Sequence, residues 1–231
     1  MGDASVIAVC GISFEARIAS GDDAIAVCAG TSRRLAALLS DAVTPATRGI
    51  ISFGIAGGLG PELRPGACII GRAVVADGER FDADAGWARR LVSALPTALQ
   101  GDVAGVDRPV QHPDDKRALH TRTGAMAVDM ESQIAARTAK ERALPFAVLR
   151  IIADPAERSV PDAALAGHRV DGSTDVLAIL AALIGAPREI AGMARLALDA
   201  RTAQRELLRC RRQLGEGFAL LDIGEHGRDV A

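Results

Sequence analysis

Apolar residues in this chain form short runs that alternate with stretches of helical spacing. Runs of strand length, rich in Val, Ile and Ala, predict strands at Ser5 to Cys10, Ala24 to Cys28, Gly49 to Phe53, Ala67 to Ala76 and Asp102 to Val106. The stretches of helical spacing predict helices at Arg33 to Asp41, Asp84 to Leu95, Pro113 to Thr121 and Asp171 to Ile184. Strands that alternate with helices in this way are typical of a single α/β domain.

The segment from residue 124 to residue 158 predicts a strand, a helix and a second strand. Ala125 to Val128 is a short apolar run, and a helix then opens near Asp129. Pro145 ends that helix, and Phe146 to Ile152 is a second apolar run. In a parallel βαβ unit, Glu131 and Asp154 would emerge at the same edge of the sheet, where open α/β sheets bind ligands.

Glycine is densest from Gly54 to Gly60, after the third predicted strand. A dinucleotide-binding fingerprint must open directly into a helix, but Pro61, Pro65 and Gly66 follow and then another strand begins. We therefore do not predict a dinucleotide site. Two interpretations stay open: a turn that lets the backbone approach a small ligand, or a structural bulge without a ligand.

The C-terminal part of the chain predicts one long amphipathic helix from Pro187 to Leu214. Its apolar positions step by three and four, and its remaining surface is rich in arginine. This pattern fits packing against the core or another subunit, and it also fits contact with a membrane surface. We accordingly divide the chain into an α/β domain (1–186), an arginine-rich helix (187–215) and a tail (216–231).

Composition narrows the classes of function. A net charge of −2, an aromatic content of 3% and the absence of Tyr argue against a nucleic-acid partner. The four cysteines form no C-x-x-C pair and histidines are few, so we expect no zinc or other metal site. The chain has no apolar run of about 18 residues and no basic N-terminal region, which predicts a cytoplasmic protein.

Six motifs in order resemble one known family. They are GISFEARIA (11–19), SFGIAGGLGPELRPG (52–66), VADGERFDAD (75–84), AVDMES (127–132), RIIADPAER (150–158) and DGSTDV (171–176). Together they resemble the nucleoside phosphorylase and 5′-methylthioadenosine/S-adenosylhomocysteine nucleosidase superfamily, and within it the hopanoid-associated phosphorylase branch. The resemblance covers nearly the whole chain up to about Gly215.

The resemblance implies a fold, an assembly and a substrate. The fold is a three-layer α/β/α domain whose twisted mixed sheet is partly closed into a barrel, here followed by the long C-terminal helix. The assembly is a homo-oligomer. The reaction is cleavage of the bond between a purine and ribose, without a cofactor. For the branch, the substrate is adenosylhopane, a 5′-substituted adenosine whose lipid-like group would give the C-terminal helix a peripheral membrane contact.

By this resemblance, Asp154 protonates N7 of the leaving purine, and a partly desolvated carboxyl group suits that role. Glu131 would accept hydrogen bonds from the ribose hydroxyls, and Met130 would pack against the sugar. Each residue also has a purely structural interpretation: a turn before Pro155 for Asp154, a helix N-terminal acid for Glu131 and a core side chain for Met130.

The nucleophile stays open between phosphate and water. The resemblance implies that Gly11, Arg17, Gly54, Ala56 and Gly57 lie on the nucleophile side. Phosphorylases of the superfamily usually add an arginine and a serine at the glycine-rich segment, where this chain has Ser52 and Ile55. The sequence thus lacks half of the phosphate site.

In the nucleosidases a glutamate from the first loop positions the attacking water, and Glu15 falls within one residue of that place. Glu15 is thus a candidate base, although an acid at a helix N-terminus has the same appearance.

Two further expectations concern the surroundings of this site. Val106, Pro109 and Val110 would lie on the base side, where relatives often stack an aromatic residue and this chain has a proline. Arg150 lies within an apolar strand, so we expect it to meet a carboxylate, with Glu131 and Asp129 as candidates. Two alternatives to the adenosylhopane enzyme stay open: a methylthioadenosine/adenosylhomocysteine-type nucleosidase and a non-catalytic nucleoside-binding protein.

Overall fold

A computed structural model describes residues 5–166 and 185–220 of the chain. This part contains strands β1 (Ser5–Cys10), β2 (Ala24–Cys28), β3 (Thr47–Gly58), β4 (Cys68–Ala76), β5 (Glu79–Asp82), β6 (Leu99–Gly105), β7 (Ala127–Asp129) and β8 (Phe146–Asp154). Its helices are α1 (Ser13–Ala19), α2 (Ser32–Ala42), α3 (Ala85–Ala94), α4 (Pro113–Thr123), α5 (Ser132–Glu141), α6 (Asp162–Ala166) and α7 (Ile190–Leu214). The helix predicted at Asp171 to Ile184 lies outside the described residues.

All eight strands belong to one mixed sheet. The order is β2-β1-β3-β7-β6-β4-β5, and β8 pairs with both β3 and β4. Strands β3, β7, β6, β4 and β8 therefore form a closed ring, while β2, β1 and β5 extend from it. This confirms the mixed sheet, partly closed into a barrel, that the sequence motifs imply.

The direction of β7 differs from the sequence prediction. Strand β8 runs parallel to β3, but β7 runs antiparallel to it, so β7, α5 and β8 are not a parallel βαβ unit. Gly57 of β3 lies opposite Val128 on one side and Asp154 on the other. Glu131 and Asp154 come to the same place because both flanking strands meet β3 at this glycine.

The glycine-rich segment does not form a turn, which was one of its two interpretations, because Gly54 to Gly58 continues β3. The pairing of β3 with β8 shifts register between Ala56 and Gly57, so the bulge interpretation holds for the backbone. Tertiary contacts explain the glycines: a Cβ on Gly54 would lie 2.5 Å from Glu15 Oε1, and one on Gly57 would lie 3.2 Å from Asp154 Oδ2. Side chains from neighbouring elements occupy the space that a Cβ would need.

The C-terminal half of α7 is part of the hydrophobic core. Ala203, Leu207, Cys210 and Leu214 are buried together with residues of β1, β3, β4 and β8. Phe218, which follows the helix, packs edge-on against Phe53 of β3, with ring centroids 5.1 Å apart. The apolar stripe therefore packs on the sheet along this half of the helix. No helix in the described ranges is long and apolar enough to cross a membrane.

Truncating one core side chain of α7 should destabilise the whole domain. Leu207 is fully buried, so Leu207→Ala should lower the free energy of unfolding by about 2–5 kcal/mol, since it removes apolar contacts and leaves a cavity. The adjacent Leu208 is 37% exposed, and we expect Leu208→Ala to change the same quantity by less than ~1 kcal/mol. Urea unfolding measures both, and equal effects would contradict the packing of α7.

Candidate active site

A cavity of about 230 Å³ opens at the carboxyl ends of five strands. Its walls come from the ends of β3, β7 and β8 and from the residues that follow β1 and β6. The predicted site residues that line it are Gly11, Glu15, Ala56, Gly57, Val106, Pro109, Val110, Met130, Glu131 and Asp154. Gly54 lies behind the wall against Glu15, whereas Arg17 is exposed on α1 and is not among the lining residues.

Glu15 lies in the first turn of α1 and is almost completely buried. Its Oε2 accepts hydrogen bonds from the backbone N–H groups of Gly11 (2.8 Å) and Ile12 (3.1 Å), which satisfies the helix N-terminus. Its Oε1 accepts a third from the N–H of Ile55 in β3 at 2.7 Å. Burial raises the pKa of Glu15, while Arg150 and these three N–H groups lower it. The helix-cap role is therefore real, but the carboxylate also joins α1 to the cavity wall.

A methyl group at residue 54 should disturb this arrangement. A Cβ there would lie 2.5 Å from Glu15 Oε1 and 2.7 Å from Arg150 Nη1, so both charged groups must move in Gly54→Ala. The family resemblance implies that Glu15 is the base of the reaction, and a displacement of about 1 Å in such a group can reduce turnover by ~10²-fold. We expect Gly54→Ala to lower kcat by about that factor in steady-state assays. Gly217→Ala, whose new Cβ meets its nearest atom at 3.7 Å, should leave turnover unchanged.

Arg150 of β8 is fully buried behind the cavity and meets both predicted carboxylates. Its Nε lies 2.7 Å from Asp129 Oδ2, although the N–H does not point at that oxygen, and its Nη2 lies 3.4 Å from Glu131 Oε2. Nη2 also donates to Ser52 Oγ at 2.6 Å. The pairing expected for a charge in an apolar strand is thus confirmed. Ser52, which the resemblance puts where phosphorylases have an arginine, here accepts a hydrogen bond from Arg150.

Asp129 sets the position of Glu131. Its Oδ1 accepts hydrogen bonds from the backbone N–H groups of Glu131 (2.9 Å) and Ser132 (2.7 Å), which begins α5 directly after β7. The Glu131 carboxylate then reaches towards Gly11, where a Cβ would lie 2.7 Å from its Oε1. The pKa of Glu131 is raised to about 8, chiefly by burial and also by the negative charges of Asp129 and Glu15, while Arg150 opposes the rise.

A raised pKa of this kind makes the stability of the folded protein depend on pH. Because the folded-state pKa of Glu131 is about 8 and its usual value is 4.5, the folded protein binds a proton that the unfolded chain releases between these values. The stabilisation is complete below about pH 4.5 and is lost as the pH rises through 8. We therefore expect Glu131→Gln to gain stability relative to the wild type between about pH 5 and pH 9. Urea unfolding across this range measures the difference, which a normal Glu131 pKa would leave constant.

Asp154 ends β8 and meets a residue that sequence reasoning missed. Lys116 of α4 is fully buried, and its Nζ lies 2.6 Å from Asp154 Oδ2. The same Nζ donates to the carbonyl oxygens of Pro155 and Arg158, each at 3.0 Å. Burial raises the pKa of Asp154, and the Lys116 ammonium partly opposes that rise. The available sequence signal was compositional: Lys116 is one of only two lysines among 27 basic residues.

The remaining wall of the cavity is apolar. It is formed by Ile12, Val106, Pro109, Val110, Met130 and Val160. In the described part of the chain, no arginine or lysine is among the lining residues. Four carboxyl-bearing residues line the cavity: Glu15, Glu131, Asp154 and Asp129, the last of which is paired with Arg150. The rest of the surface suits an uncharged ligand.

The fold is shared with solved nucleosidase structures. A methylthioadenosine/S-adenosylhomocysteine nucleosidase from Neisseria meningitidis, in complex with methylthio-immucillin-A, has a TM-score of 0.65 and 16% identity, over 92% of this chain and 99% of that one. The futalosine hydrolase of Helicobacter pylori has a TM-score of 0.62 and 15% identity, over 90% and 97% of the two chains. At such identities the likeness establishes the fold.

Sequence comparison establishes the family. A search of curated protein sequences gave no significant match. The sequence profile of the phosphorylase superfamily, however, matches residues 11–185, which contain all the carboxyl groups of the cavity. The chain therefore belongs to the phosphorylase superfamily, a family of enzymes, as its motifs predict.

Proposed function

We propose that this protein hydrolyses the N-glycosidic bond of a 5′-substituted adenosine and releases adenine. The observation that supports this most is the convergence of Glu15, Glu131 and Asp154 on one cavity that, among the described residues, no arginine or lysine lines. A carboxyl acid, a carboxylate base and a sugar-binding carboxylate are the groups that hydrolysis of such a bond needs.

In the proposed reaction, Asp154 gives its proton to N7 of the purine while the bond from C1′ to N9 breaks and its electron pair passes to the base. The sugar becomes oxocarbenium-like. A water adds to C1′ and loses its proton to Glu15, so one proton enters and one leaves the reacting atoms. Glu131 accepts hydrogen bonds from the ribose hydroxyls, and Met130 packs against the ring. Asp154 then regains a proton from water and Glu15 releases one to it, which restores the starting state.

The charges around the cavity favour water over phosphate. The Glu15 carboxylate on which the proposed reaction depends would repel a phosphate dianion, and Glu131, which keeps its proton below about pH 8, offers phosphate no positive charge. Arg150 could offset this repulsion, but its guanidinium is already engaged by Asp129, Glu131 and Ser52. Arg17, the arginine that the resemblance puts on the nucleophile side, is exposed on α1 and is not among the lining residues.

An uncharged substituent at the 5′ position would meet the apolar wall at Ile12 and Val160, the members that are not assigned to the base or the ribose. The family resemblance suggests adenosylhopane. The smaller alternative is 5′-methylthioadenosine, in keeping with the nucleosidase names of the structurally similar proteins. Both substrates share the adenosine moiety on which the three carboxyl groups would act. They differ only in the group that the apolar wall would contact.

Adenine release in phosphate-free buffer tests the proposal. The purified chain is incubated with 5′-methylthioadenosine, with adenosylhopane in detergent micelles and with adenosine, and free adenine is measured by chromatography. We expect release from the 5′-substituted compounds, with a higher kcat/KM for the apolar substituents than for adenosine. Binding without release from any of the three would favour the non-catalytic nucleoside-binding alternative.

Membrane contact and self-association are parts of the same proposal. The side chains of Ile190 and Leu198, in the N-terminal half of α7, are 54% and 62% exposed. Because the C-terminal half packs in the core, point substitution is a better probe than deletion of the helix. We expect Leu198→Asp to reduce flotation with liposomes if α7 meets a membrane. Sedimentation of the wild type and of Leu198→Asp would show whether Leu198 also contributes to a homo-oligomer, because the variant would then sediment as a smaller species.

A further inference from the structure

Lys116 is unusual because it is one of two lysines in the chain and its side chain is fully buried. Of 27 basic residues, only Lys116 and Lys140 are lysines, and the others are arginines. Lys140 is exposed on α5, whereas Lys116 is fully buried on α4. An ammonium group has three N–H donors, and Lys116 has three acceptors: one carboxylate oxygen and two carbonyl oxygens. A planar guanidinium has five donors in a wider fork and would not fit these acceptors as well.

The three acceptors belong to the site and to the loop that follows it. Oδ2 of Asp154 is held at 2.6 Å, and the carbonyl groups of Pro155 and Arg158 fix the chain directly after β8. The other charged groups near Asp154 are Arg158, in the loop after β8, and Arg195 and Asp199 of α7, which line a second, smaller cavity together with Asp154. Arg158 forms an ion pair with Asp199. Since Arg158 engages Asp199, Lys116 is the cation in direct contact with the Asp154 carboxyl group.

We propose that Lys116 is the positioning residue of the acid: it holds Oδ2 of Asp154, leaves Oδ1 to donate the proton, and stabilises the carboxylate that remains after the proton has passed to the leaving base. This inference rests on the proposed function for its chemistry. The proton moves from Asp154 Oδ1 to N7 of the purine while the electron pair of the C1′–N9 bond passes to N9. Lys116 keeps its own proton throughout and does not touch the substrate.

Two variants of Lys116 test the role of its positive charge, and one control variant tests the effect of disturbing the loop after β8. Lys116→Met removes the ammonium group, and Lys116→Gln removes the charge but keeps an N–H donor for the loop carbonyls. We expect both to lower kcat by about 10- to 100-fold, a part of the ~10²–10⁴-fold that a general acid supplies, with KM changed less than about threefold. Loss of the cation raises the pKa of Asp154, so the alkaline limb of the pH–kcat profile should move to higher pH.

Gln111→Ala is the matched control. Its side chain donates to Val160 and Asp162 in the segment that follows Asp154, but it does not contact the carboxyl group. It should leave the alkaline limb in place even if turnover falls slightly. An unchanged alkaline limb in both folded Lys116 variants, or an equal shift in Gln111→Ala, would overturn the proposal.

A measurement that needs neither turnover nor a folded Lys116 variant separates this inference from the proposed function. With ¹⁵N-labelled lysine, NMR of the wild type gives two side-chain signals, and Lys140 serves as the internal reference. The Lys116 signal should shift as Asp154 titrates, and the shift should vanish in Asp154→Asn. If the chemical shift of the Lys116 side-chain nitrogen stayed constant while Asp154 titrates, the inference would be overturned. If the Lys116 signal followed the titration of Asp154 but the protein released no adenine, the proposed function would be contradicted instead.

Discussion

Replacing Glu15 by glutamine should reduce kcat for adenine release by about 10²–10⁴-fold, because the proposed base loses the charge that accepts the proton of water. The carboxylate is held by three backbone N–H groups from two different elements, so its position is fixed before a substrate binds. In the variant an amide NH₂ would face at least one of these donors, and we also expect some loss of stability.

Steady-state assays and thermal unfolding of the same protein separate the two effects. Glu141→Gln, at the exposed end of α5, is the control and should change neither turnover nor the unfolding temperature. If folded Glu15→Gln protein retained turnover within about threefold of the wild type, Glu15 would be a helix cap alone and another group would have to activate the water.

Replacing Asp154 by asparagine should also reduce kcat by about 10²–10⁴-fold, while KM changes little. Asparagine keeps the size and the hydrogen-bonding shape of the side chain, but it has no proton to give to the purine at neutral pH. Because burial raises the pKa of Asp154, the wild-type residue holds its proton to higher pH than an exposed aspartate would.

The leaving group offers a check that is independent of protein stability. A substrate analogue whose purine leaves without protonation should be cleaved by Asp154→Asn almost as fast as by the wild type, whereas an adenosine substrate should not. Asp115→Asn, exposed on α4 next to Lys116, is the matched control. Equal losses with both leaving groups would show that Asp154 supports the structure and is not the acid.

Local patterns of sequence predicted most elements, since apolar runs and helix ends depend on neighbouring residues. The predicted strand at residues 5–10 agrees with β1, and the long C-terminal helix agrees with the turn at Pro187–Glu189 and α7. Strand direction was wrong for β7, because an apolar run of three residues carries no information on its partner. For the glycine-rich segment the sequence left a turn and a bulge open, because a glycine-dense run is compatible with both; space for Glu15 and Arg150 determines its place in β3.

For the site, the sequence predicted which residues are present better than it predicted the contacts between residues that are distant in the chain. A charge within an apolar strand was enough to predict that Arg150 meets Asp129 and Glu131. Lys116 was not predicted because it follows two aspartates in a polar helix and has the appearance of an exposed residue. Its burial depends on the loop after β8, 38 residues away in the chain. The contact of Glu15 with Ile55, across 40 residues, is of the same kind.

The identity of the sugar product in the presence of saturating phosphate is the most direct test of the account. The wild-type protein is incubated with 5′-methylthioadenosine and phosphate, and phosphorus NMR with mass spectrometry of the products distinguishes a free sugar from a sugar 1-phosphate. Water activated at Glu15 predicts the free sugar together with adenine, at a rate that phosphate does not increase. A sugar 1-phosphate, formed only when phosphate is present, would contradict the account and place a phosphate site among these carboxyl groups.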